Sequence, residues 1–517
     1  MKSKKGRPIR INLSGMLGYP FHPFLFGMYP ILYQMAINIS EVSLSYMYRP
    51  LLLALAGVVV LLLLFRIIYR DWTKAALAST FLLVLFFSYG HVYIALKGIT
   101  LDGLLIFRHR TLIPIWVGGG GLALWQVARK SVTRSTLTSM FNVAGLFLLV
   151  MPAYQLASYP FQSRLSQSAA GKDSRTLSLN VDHGTPDIYY IILDGYGRSD
   201  VLKQEFGFDN SDFLNSLKDL GFYVADCSLS NYAQTQISLA SSLNFNYIDE
   251  LGDQFVPGTD DRGVLAAFIK HSALRKSLEA AGYKTVAFAT GFDWTQLDDA
   301  DYYLSPQPNS FALNEFEYLL IDTTFARIIQ DARLGEQEAG TELYRERTLF
   351  ALDKLDKLSY IKGPKFVFVH LIIPHPPFVF GPTGGPVESV PVGTTKSAKA
   401  AMQYRDQAIY VSSRMKEIVP RIIANSVIPP IIVIQGDHGP TVPGSPQRRM
   451  KNLNVYYLPG SNASLYSTIT PVNTFRVIFN AYFGQHLELL DDLSLYSSYD
   501  DPFRYKSLPN LCNKNSR

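Results

Sequence analysis

Apolar runs recur at the length of a membrane-spanning helix over the first 160 residues of this 517-residue chain. A helix needs about 20 apolar residues to cross the hydrocarbon core of a bilayer. The clearest runs are PLLLALAGVVVLLLLFRII, from Pro50, and AALASTFLLVLFFSYGHVYIAL, from Ala75. The predicted spans are residues 23–40, 50–68, 75–96, 111–128 and 138–158. The sequence therefore predicts an N-terminal transmembrane bundle of about five helices over residues 1–158.

Basic residues beside the predicted spans are concentrated on one side of the membrane. That side carries Lys2, Lys4, Lys5, Arg7, Arg10, Arg66, Arg70, Lys74, Arg129, Lys130 and Arg134, and the other carries Arg49, Lys97, Arg108 and Arg110. The positive-inside rule places the N-terminus in the cytoplasm and, after five spans, everything beyond residue 158 outside. One span more or fewer would place the C-terminal domain on the opposite side of the membrane. We therefore expect an integral protein of the inner or plasma membrane, with a C-terminal domain on the periplasmic or extracellular side.

The net charge of +6 is modest for a chain of this length. With basic residues beside the apolar runs, it indicates membrane orientation rather than nucleic-acid binding. The sequence has neither zinc-finger spacing nor a basic stripe interleaved with aromatic residues, so no nucleic-acid partner is expected.

Two short features of the sequence have competing interpretations. Cys227 and Cys512 lack CxxC spacing, and both fall in the part predicted to lie outside, where oxidation persists. They form either a disulfide or two unrelated buried thiols. The run VGGGG, residues 117–121, lacks the Lys-Ser/Thr of a phosphate loop and lies within a predicted span, so it predicts close helix packing.

Beyond a Ser-rich linker, residues 159–185, strand-like and helix-like segments alternate. The strand candidates are DIYYIIL (187–193), KTVAFAT (284–290), KFVFVHL (365–371), IIVIQG (431–436) and NVYYL (454–458), and the helix candidates between them are 211–221, 263–281, 341–359 and 398–424. This alternation predicts an α/β/α sandwich with a mainly parallel sheet. We assign residues 186–500 to this catalytic domain and residues 501–517 to a C-terminal tail.

Polar residues stand where the apolar strand candidates end. Asp194 closes the first candidate, and Asp437 and His438 close the fourth, in PPIIVIQGDHGP. His370 lies near the end of the third candidate, and His375 lies in the Pro-rich loop after it. Because ligands of open α/β sheets bind beyond the carboxyl ends of the strands, these side chains are expected to form one site.

The residue types suit a divalent cation. Asp194, Asp437 and His438 offer two carboxylates and an imidazole, and Thr235, just before a predicted helix over 236–243, adds a hydroxyl oxygen. A cation and a helix N-terminus both favour ionisation of that hydroxyl, which makes it a usable nucleophile. His375 is placed to hydrogen-bond an anionic oxygen or to protonate a leaving group.

Each of these residues also has a structural alternative. Thr235 can serve only as a helix cap. His375 can pin its Pro-rich loop, and Asp194 can be a turn residue that accepts backbone hydrogen bonds before Gly195.

The ordered set LDG, a Thr about forty residues later, PHPPF and GDHG resembles the sulfatase-like branch of the alkaline phosphatase superfamily. With the N-terminal spans, the chain resembles lipoteichoic acid synthases and lipid A phosphoethanolamine transferases. The resemblance implies that Asp194, Thr235, Asp437 and His438 ligate one metal, namely manganese, zinc or calcium. It also implies that Thr235 carries the transferred group and that His375 binds phosphate.

The chain departs from these families at two points. The synthases and transferases have Glu at the first ligand position, whereas Asp194-Gly195 is more similar to nucleotide pyrophosphatases and eukaryotic glycolipid phosphoethanolamine transferases. Those enzymes use two zinc ions, but their second-site Asp-x-x-x-His pattern is missing here, so one site is favoured. The Cys-x-Pro-x-Arg pattern of true sulfatases is also missing.

The expected function is the transfer of a phospholipid-derived phosphoester headgroup, through a covalent threonine intermediate, to an envelope glycan or lipid. The alternatives are a sulfatase-like hydrolase of a soluble sulfate or phosphate ester, and a catalytically silent membrane protein that binds an envelope glycan. Membrane lipid and an anionic ester or phospholipid substrate are the expected partners.

Further residues are expected at the substrate. They are His370 and, in the cluster after GDHG, Arg448, Arg449 and Lys451, although that cluster can equally be a solvated loop. In the loop of residues 97–110, Arg108 and Arg110 either snorkel to lipid phosphates or grip the phosphate of a donor lipid beside Thr235.

Overall fold

The computed structural model describes residues 18–101, 104–129, 134–173, 176–181, 185–259, 262–306, 313–334, 340–387, 397–442, 444–461 and 463–512. The basic cluster before residue 18, Lys130 and the last five residues of the predicted tail lie outside the described residues. The chain divides into two compact units. The membrane unit comprises residues 1–160 and 313–339, and the α/β unit comprises residues 161–312 and 340–517.

The membrane unit begins with long apolar helices, as predicted. They are α1 (His22–Ile37), α2 (Tyr48–Tyr69), α3 (Trp72–Leu96), α4 (His109–Ala128) and α5 (Arg134–Asp173). Among the described residues, four segments are long and apolar enough to cross a membrane, namely Leu44–Tyr69, Trp72–Leu96, His109–Ala128 and Thr136–Tyr159. Helix α1 has only 16 residues and ends at Ile37, three residues before the predicted limit of 40. Helix α5 continues to Asp173, so it extends into the segment expected to be a linker.

The strands in chain order include one short hairpin, β1 (Thr100–Leu101) with β2 (Leu104–Leu105), between α3 and α4. The α/β unit contains β3 (Ile188–Leu193), β4 (Tyr223–Val224), β5 (Lys284–Phe288), β6 (Tyr302–Leu304), β7 (Lys365–Leu371), β8 (Ile431–Gln435), β9 (Asn454–Tyr457), β10 (Ser494–Tyr496) and β11 (Lys506–Leu508). Seven of them form one sheet in the order β4-β9-β8-β3-β7-β5-β6. Strand β9 runs antiparallel to both of its neighbours, β4 and β8, and the other four pairs are parallel. The predicted mainly parallel sheet is therefore confirmed.

The helices that follow α5 are α6 (Ser199–Phe206), α7 (Ser211–Asp219), α8 (Thr235–Leu243), α9 (Leu265–Lys270), α10 (Ala273–Ala280), α11 (Glu315–Thr323), α12 (Arg327–Leu334), α13 (Thr341–Lys354), α14 (Ala398–Asn425), α15 (Pro446–Met450) and α16 (Pro471–Tyr482). Short 3-10 helices span Leu44–Met47, Ile248–Glu250, Asp293–Thr295 and Leu358–Tyr360.

Helices cover both faces of the central sheet. Because side chains alternate along a strand, Tyr190 and Ile192 of β3 pack with α8, α9, α10 and α16 on one face. Tyr189 and Ile191 pack with α6, α7, α13 and α14 on the other. All six side chains of β3 are buried, as a central parallel strand requires. The unit is therefore an α/β/α sandwich, as predicted.

The inserted segment, residues 313–334, belongs to the membrane unit although the sequence placed it in the catalytic domain. Glu317 of α11 forms an ion pair with Arg49, and Asp331 of α12 accepts a hydrogen bond from Nε2 of His109 at 2.9 Å. A Cβ atom at Gly90 of α3 would overlap the backbone oxygen of Asp322, so glycine permits this close approach. Helices α11 and α12 are thus packed against the transmembrane helices.

A disulfide joins Cys227 and Cys512, with their Cα atoms 5.6 Å apart. The disulfide prediction is therefore confirmed, and the alternative of two unrelated thiols is wrong. Nearby, the amide of Asn510 donates to the carbonyl oxygen of Cys227. These links fix the end of the chain to the α/β unit.

Candidate active site

The register of the parallel strands brings the predicted ligand residues to one edge of the sheet. Ile192 of β3 pairs with His370 of β7 and with Gln435 of β8. Asp194 follows β3 by one residue, and Asp437 follows β8 by two. The carboxyl ends of three adjacent strands therefore present their polar side chains at the same level, as expected for an open α/β sheet.

Asp194, Asp437 and His438 form one buried cluster. Each offers a ligand atom, and these atoms lie within 4.8 Å of one another. Nε2 of His438 lies 3.3 Å from Oδ2 of Asp437 and 3.7 Å from Oδ1 of Asp194. Both of these carboxylate oxygens are buried and without a hydrogen-bond partner. Two unsatisfied anionic oxygens are costly in a protein interior unless a cation binds them.

The neighbours of each group set its protonation. Burial alone would raise the pKa of Asp194, but the imidazoles of His375, His370 and His438 hold it well below its usual range. Burial, and then the charge of Asp194, raise the pKa of Asp437. Burial, and then Arg449, lower the pKa of His438 well below its ordinary value. A neutral His438 is the form that ligates metals.

The tautomer of His438 follows from its backbone contact. Nδ1 lies 2.9 Å from the carbonyl oxygen of Gly439, which can only accept, so Nδ1 carries the proton. Nε2 therefore carries the lone pair, and it lies near the two carboxylates and 3.1 Å from Oγ1 of Thr235. Carboxylate, imidazole and hydroxyl atoms thus converge on one small volume, and this donor set fits a divalent cation.

Thr235 occupies the first position of α8. The preceding residue, Gln234, has an extended backbone, and the rest of α8 is buried in the core of the α/β unit. Ser238, one turn later, donates its hydroxyl to the backbone oxygen of Asp437 at 2.7 Å, which ties the helix to the ligand loop. The structure therefore places the Thr235 hydroxyl where both the helix dipole and the ligand cluster favour its ionised form.

The two other histidines lie at different depths. His370 is fully buried; its Nε2 lies 3.2 Å from Oδ2 of Asp194, and its Nδ1 lies 3.3 Å from the hydroxyl of Thr295. His370 is therefore buried beside Asp194, and its predicted contact with substrate stays a prediction. His375 is partly exposed, and its Nδ1 donates to the carbonyl oxygen of Pro376 at 2.7 Å, which leaves Nε2 available. The His375 and His438 rings are 6.2 Å apart.

The basic cluster after GDHG divides in the structure. Arg448 pairs with Glu205 at 2.8 Å, and Lys451 pairs with Asp200 at 2.6 Å. Arg449, which lies between them, turns inward instead. Its Nη2 lies 3.0 Å from Nε2 of His438, and its Nε donates to the carbonyl oxygen of Ala233. Sequence reasoning grouped these three residues as one anion-binding cluster and did not single out Arg449, because position along the chain does not show which side chain turns inward.

A cleft of about 130 Å³ opens beside the ligand cluster. Its walls include Gly195, His375 and Arg449 together with the aromatic residues Phe206, Phe378 and Tyr404. The Tyr404 hydroxyl donates to the backbone oxygen of Gly195 at 2.8 Å, which holds the turn after Asp194 in place. The cleft therefore offers cationic and imidazole groups for an anion, next to an apolar wall.

Arg108 and Arg110 belong to the membrane unit. Arg108 precedes the first residue of α4, and its backbone N–H donates to the hydroxyl of Thr111 at 3.2 Å. Arg110 is exposed. Their predicted contact with a donor lipid beside Thr235 stays a prediction.

No family model matches the sequence, and no curated protein matches it. Among solved structures, the C-terminal periplasmic domain of EcEptC from Escherichia coli, in complex with Zn, is 12% identical, with a TM-score of 0.43 over 64% of this chain and 96% of that one. The integral membrane lipooligosaccharide phosphoethanolamine transferase A (EptA) from Neisseria meningitidis is 12% identical, with a TM-score of 0.35 over 85% and 88% of the two chains. The 2-O GAG sulfatase BT1596 is 11% identical, with a TM-score of 0.36 over 60% and 77%.

These proteins come from the groups that the sequence motifs resemble. At such identities and TM-scores, we draw the function from the geometry of the site alone.

Proposed function

We propose that this protein is a membrane-anchored, metal-dependent phosphoester transferase or hydrolase that uses Thr235 as its nucleophile. The observation that carries the proposal is the position of the Thr235 hydroxyl. It lies at a helix N-terminus, 3.1 Å from a neutral imidazole nitrogen and beside two buried carboxylates with unsatisfied oxygens. That arrangement favours an alkoxide, which a helix cap does not need.

Asp194, Asp437, His438 and Thr235 would hold a divalent cation, with manganese, zinc or calcium as candidates and one site favoured. When bound, the cation supplies Lewis-acid stabilisation of negative charge on oxygen. The carbonyl oxygen of Gly439 holds Nδ1 of His438, and Nε2 of His370 holds Oδ2 of Asp194, so these contacts would orient both side chains towards the cation.

Three side chains would carry out the transfer of the phosphoryl group, namely those of Thr235, His375 and Arg449. Oγ1 of Thr235 attacks the phosphorus of a phosphodiester, and the bond from phosphorus to the leaving oxygen breaks, which leaves a phosphothreonine ester. Because Nδ1 of His375 donates to Pro376, Nε2 can donate only when the ring is doubly protonated. In that form it gives a hydrogen bond to a phosphoryl oxygen or a proton to the leaving oxygen, and Arg449 adds positive charge in the same cleft. An acceptor hydroxyl then attacks the same phosphorus and restores Thr235.

The donor we favour is a phospholipid headgroup, and the acceptor an envelope glycan or lipid. Anchoring by four candidate spans supports a donor that resides in the membrane. Sulfate-ester hydrolysis is disfavoured, because Cys227 is committed to a disulfide with Cys512, the other cysteine of the sequence. A silent glycan-binding protein has no need of two buried unsatisfied carboxylate oxygens.

The side of the membrane that we propose for the α/β unit depends on α2 to α5 alone. Arg66 lies in the last turn of α2, Arg70 follows that helix, Lys74 lies in the first turn of α3, and Arg129 follows α4. By the positive-inside rule these helix ends face the cytoplasm. Helix α5 then crosses from the cytoplasmic side to the outer side of the membrane, and this direction is the same whether or not α1 crosses the membrane. The disulfide supports an oxidising compartment, periplasmic or extracellular.

The direct test is to trap the covalent intermediate. Purified full-length protein is incubated with a headgroup-labelled phospholipid and a manganese or zinc salt, quenched in acid and mapped by mass spectrometry. We expect the label on Thr235, and none after chelation or in Thr235→Ala. Label on another residue, or turnover by folded Thr235→Ala close to that of wild type, would refute the nucleophile assignment.

A second experiment addresses the lipid donor. Replacing Arg108 and Arg110 with Gln should lower turnover of a phospholipid and spare a small soluble phosphodiester, which needs only the metal site. Equal losses on both substrates, or no loss on either, would remove the proposed role of these residues.

A further inference from the structure

An apolar groove runs along the transmembrane helices of the membrane unit. Its volume is about 940 Å³, and residues of α2 (50–61), α3 (82–87) and α4 (116–124) form its walls together with the inserted segment (313–326). Apart from Glu317, Thr324 and the indole of Trp116, the named wall positions are aliphatic, aromatic or glycine. The groove is therefore built partly from chain that interrupts the α/β unit.

Glycines line part of this groove. Gly57, Gly120 and Gly121 line it, and a Cβ atom added at Gly57 or Gly121 would meet no heavy atom within 4 Å. The run of four glycines was predicted to serve close helix packing, yet only Gly120 approaches a neighbouring helix, with its Cβ position 3.1 Å from Cδ1 of Leu85. The glycines therefore leave open space next to α3 instead of a helix contact at every position.

The length and the polar end of the groove indicate its occupant. Residues 50–61 of α2 extend about 17 Å at 1.5 Å per residue, close to half of the hydrocarbon core of about 30 Å. The groove thus covers the depth of one leaflet. At its end, Glu317 pairs with Arg49, which precedes the wall residue Pro50 and keeps 42% of its side chain exposed. Glu317 offsets the charge of Arg49, but the exposed part of the guanidinium can still donate a hydrogen bond to a lipid phosphate above the chain.

We propose that this groove binds one acyl chain of a membrane phospholipid, with the lipid phosphate beside Arg49. The site lies within the membrane unit and does not depend on the catalytic proposal. Because the inserted segment supplies one wall, an occupied groove stabilises the packing of α11 on α3.

Photolabelling tests the proposal without turnover. Full-length Thr235→Ala protein in detergent micelles is irradiated with a phospholipid that carries a diazirine near the end of one acyl chain, and labelled peptides are mapped by mass spectrometry. We expect labels on peptides from α2, α4 and residues 313–326, and competition by unlabelled phospholipid. A diacylglycerol probe with the same chain should label more weakly, and equal labelling would overturn the phosphate assignment.

Matched glycine variants on one helix separate the groove from the general lipid surface. Gly121→Leu fills the groove without a clash, whereas Gly119→Leu adds the same side chain at a position that does not line it and is equally open. We expect Gly121→Leu to lower labelling about tenfold, the loss when two methylene groups are kept out of an apolar site. Gly57→Leu should act like Gly121→Leu.

Equal labelling in Gly121→Leu and Gly119→Leu would overturn the proposal, because the probe would then report only the lipid annulus. A change of oligomeric state in Gly121→Leu, measured by light scattering, would also overturn it, since the groove would then be a contact between helices of two copies. Thermal unfolding of each variant confirms that the comparison is made on folded protein.

Discussion

Asp437→Asn should change the stability of the protein in opposite directions with and without metal. In chelator, Oδ2 of Asp437 is a buried oxygen without a hydrogen-bond partner, and burial together with the charge of Asp194 raises the pKa of Asp437. Asn has the same shape. Its oxygen can keep the 2.9 Å hydrogen bond from the N–H of Gly195, and its amide can join Arg449 in donating to Nε2 of His438, which lies 3.3 Å from the replaced atom.

The magnitude follows from the unsatisfied oxygen. Leaving a buried polar atom unpaired costs about 1–3 kcal/mol, so Asp437→Asn should raise the free energy of unfolding by about that amount in chelator. Metal at about 1,000 times its dissociation constant stabilises the wild-type protein by about 4.1 kcal/mol, and the variant should lose most of this gain. The variant is thus more stable than wild type without metal and less stable with it.

Thermal unfolding of the full-length protein in detergent, with chelator and with a manganese or zinc salt, measures both effects. Ser238→Ala is a suitable control, because it loses a hydrogen bond to the same loop without changing a ligand. It should destabilise the protein by a similar amount in both conditions. A full metal-induced gain in Asp437→Asn, or destabilisation in chelator, would refute the assignment of a cation site at these carboxylates.

Three further outcomes are expected. Thr235→Ser should retain part of the turnover that Thr235→Ala loses, because a hydroxyl remains, and the covalent ester should then form on Ser; activity no higher than in the Ala variant would contradict this. Gly90→Leu should expose residues 313–334 to limited proteolysis, since a side chain there overlaps Asp322, while Gly118→Leu should leave the cleavage pattern unchanged because its Cβ position is open. Unreduced peptide maps should recover one linked pair, Cys227 with Cys512, and free alkylation of both thiols would contradict it.

The ligand cluster could be predicted from sequence because each ligand follows an uninterrupted apolar strand. A central parallel strand is buried on both faces, so β3 and β8 stand out, and the first polar residues after them must lie at the carboxyl edge. Thr235 was identifiable as the start of a helix between those strands. By contrast, Arg448, Arg449 and Lys451 are close in sequence and differ in the direction of their side chains. Arg448 pairs with Glu205 and Lys451 pairs with Asp200, so only Arg449 of the three reaches the site.

The division of the chain into two units was harder to predict from the sequence than its helices and strands. Residues 313–334 contain charged side chains between apolar ones, as an ordinary surface helix does. Their position in the membrane unit depends on partners far away in sequence, Arg49 for Glu317 and His109 for Asp331. Periodicity reports which face of a helix is apolar, but it does not report which unit that face packs against.

The inserted segment also has a consequence for biosynthesis. The ribosome makes α1 to α5 first, yet the helices that complete their packing appear only after residue 313. At synthesis rates of about 5–20 residues per second, the roughly 150 intervening residues delay them by about 8–30 s. During that interval the nascent bundle lacks one of its walls, and bilayer lipid is the component available to cover it. Maturation of the membrane part is therefore coupled to translation of the α/β part, and a ribosome that stops before residue 313 leaves both units unfinished.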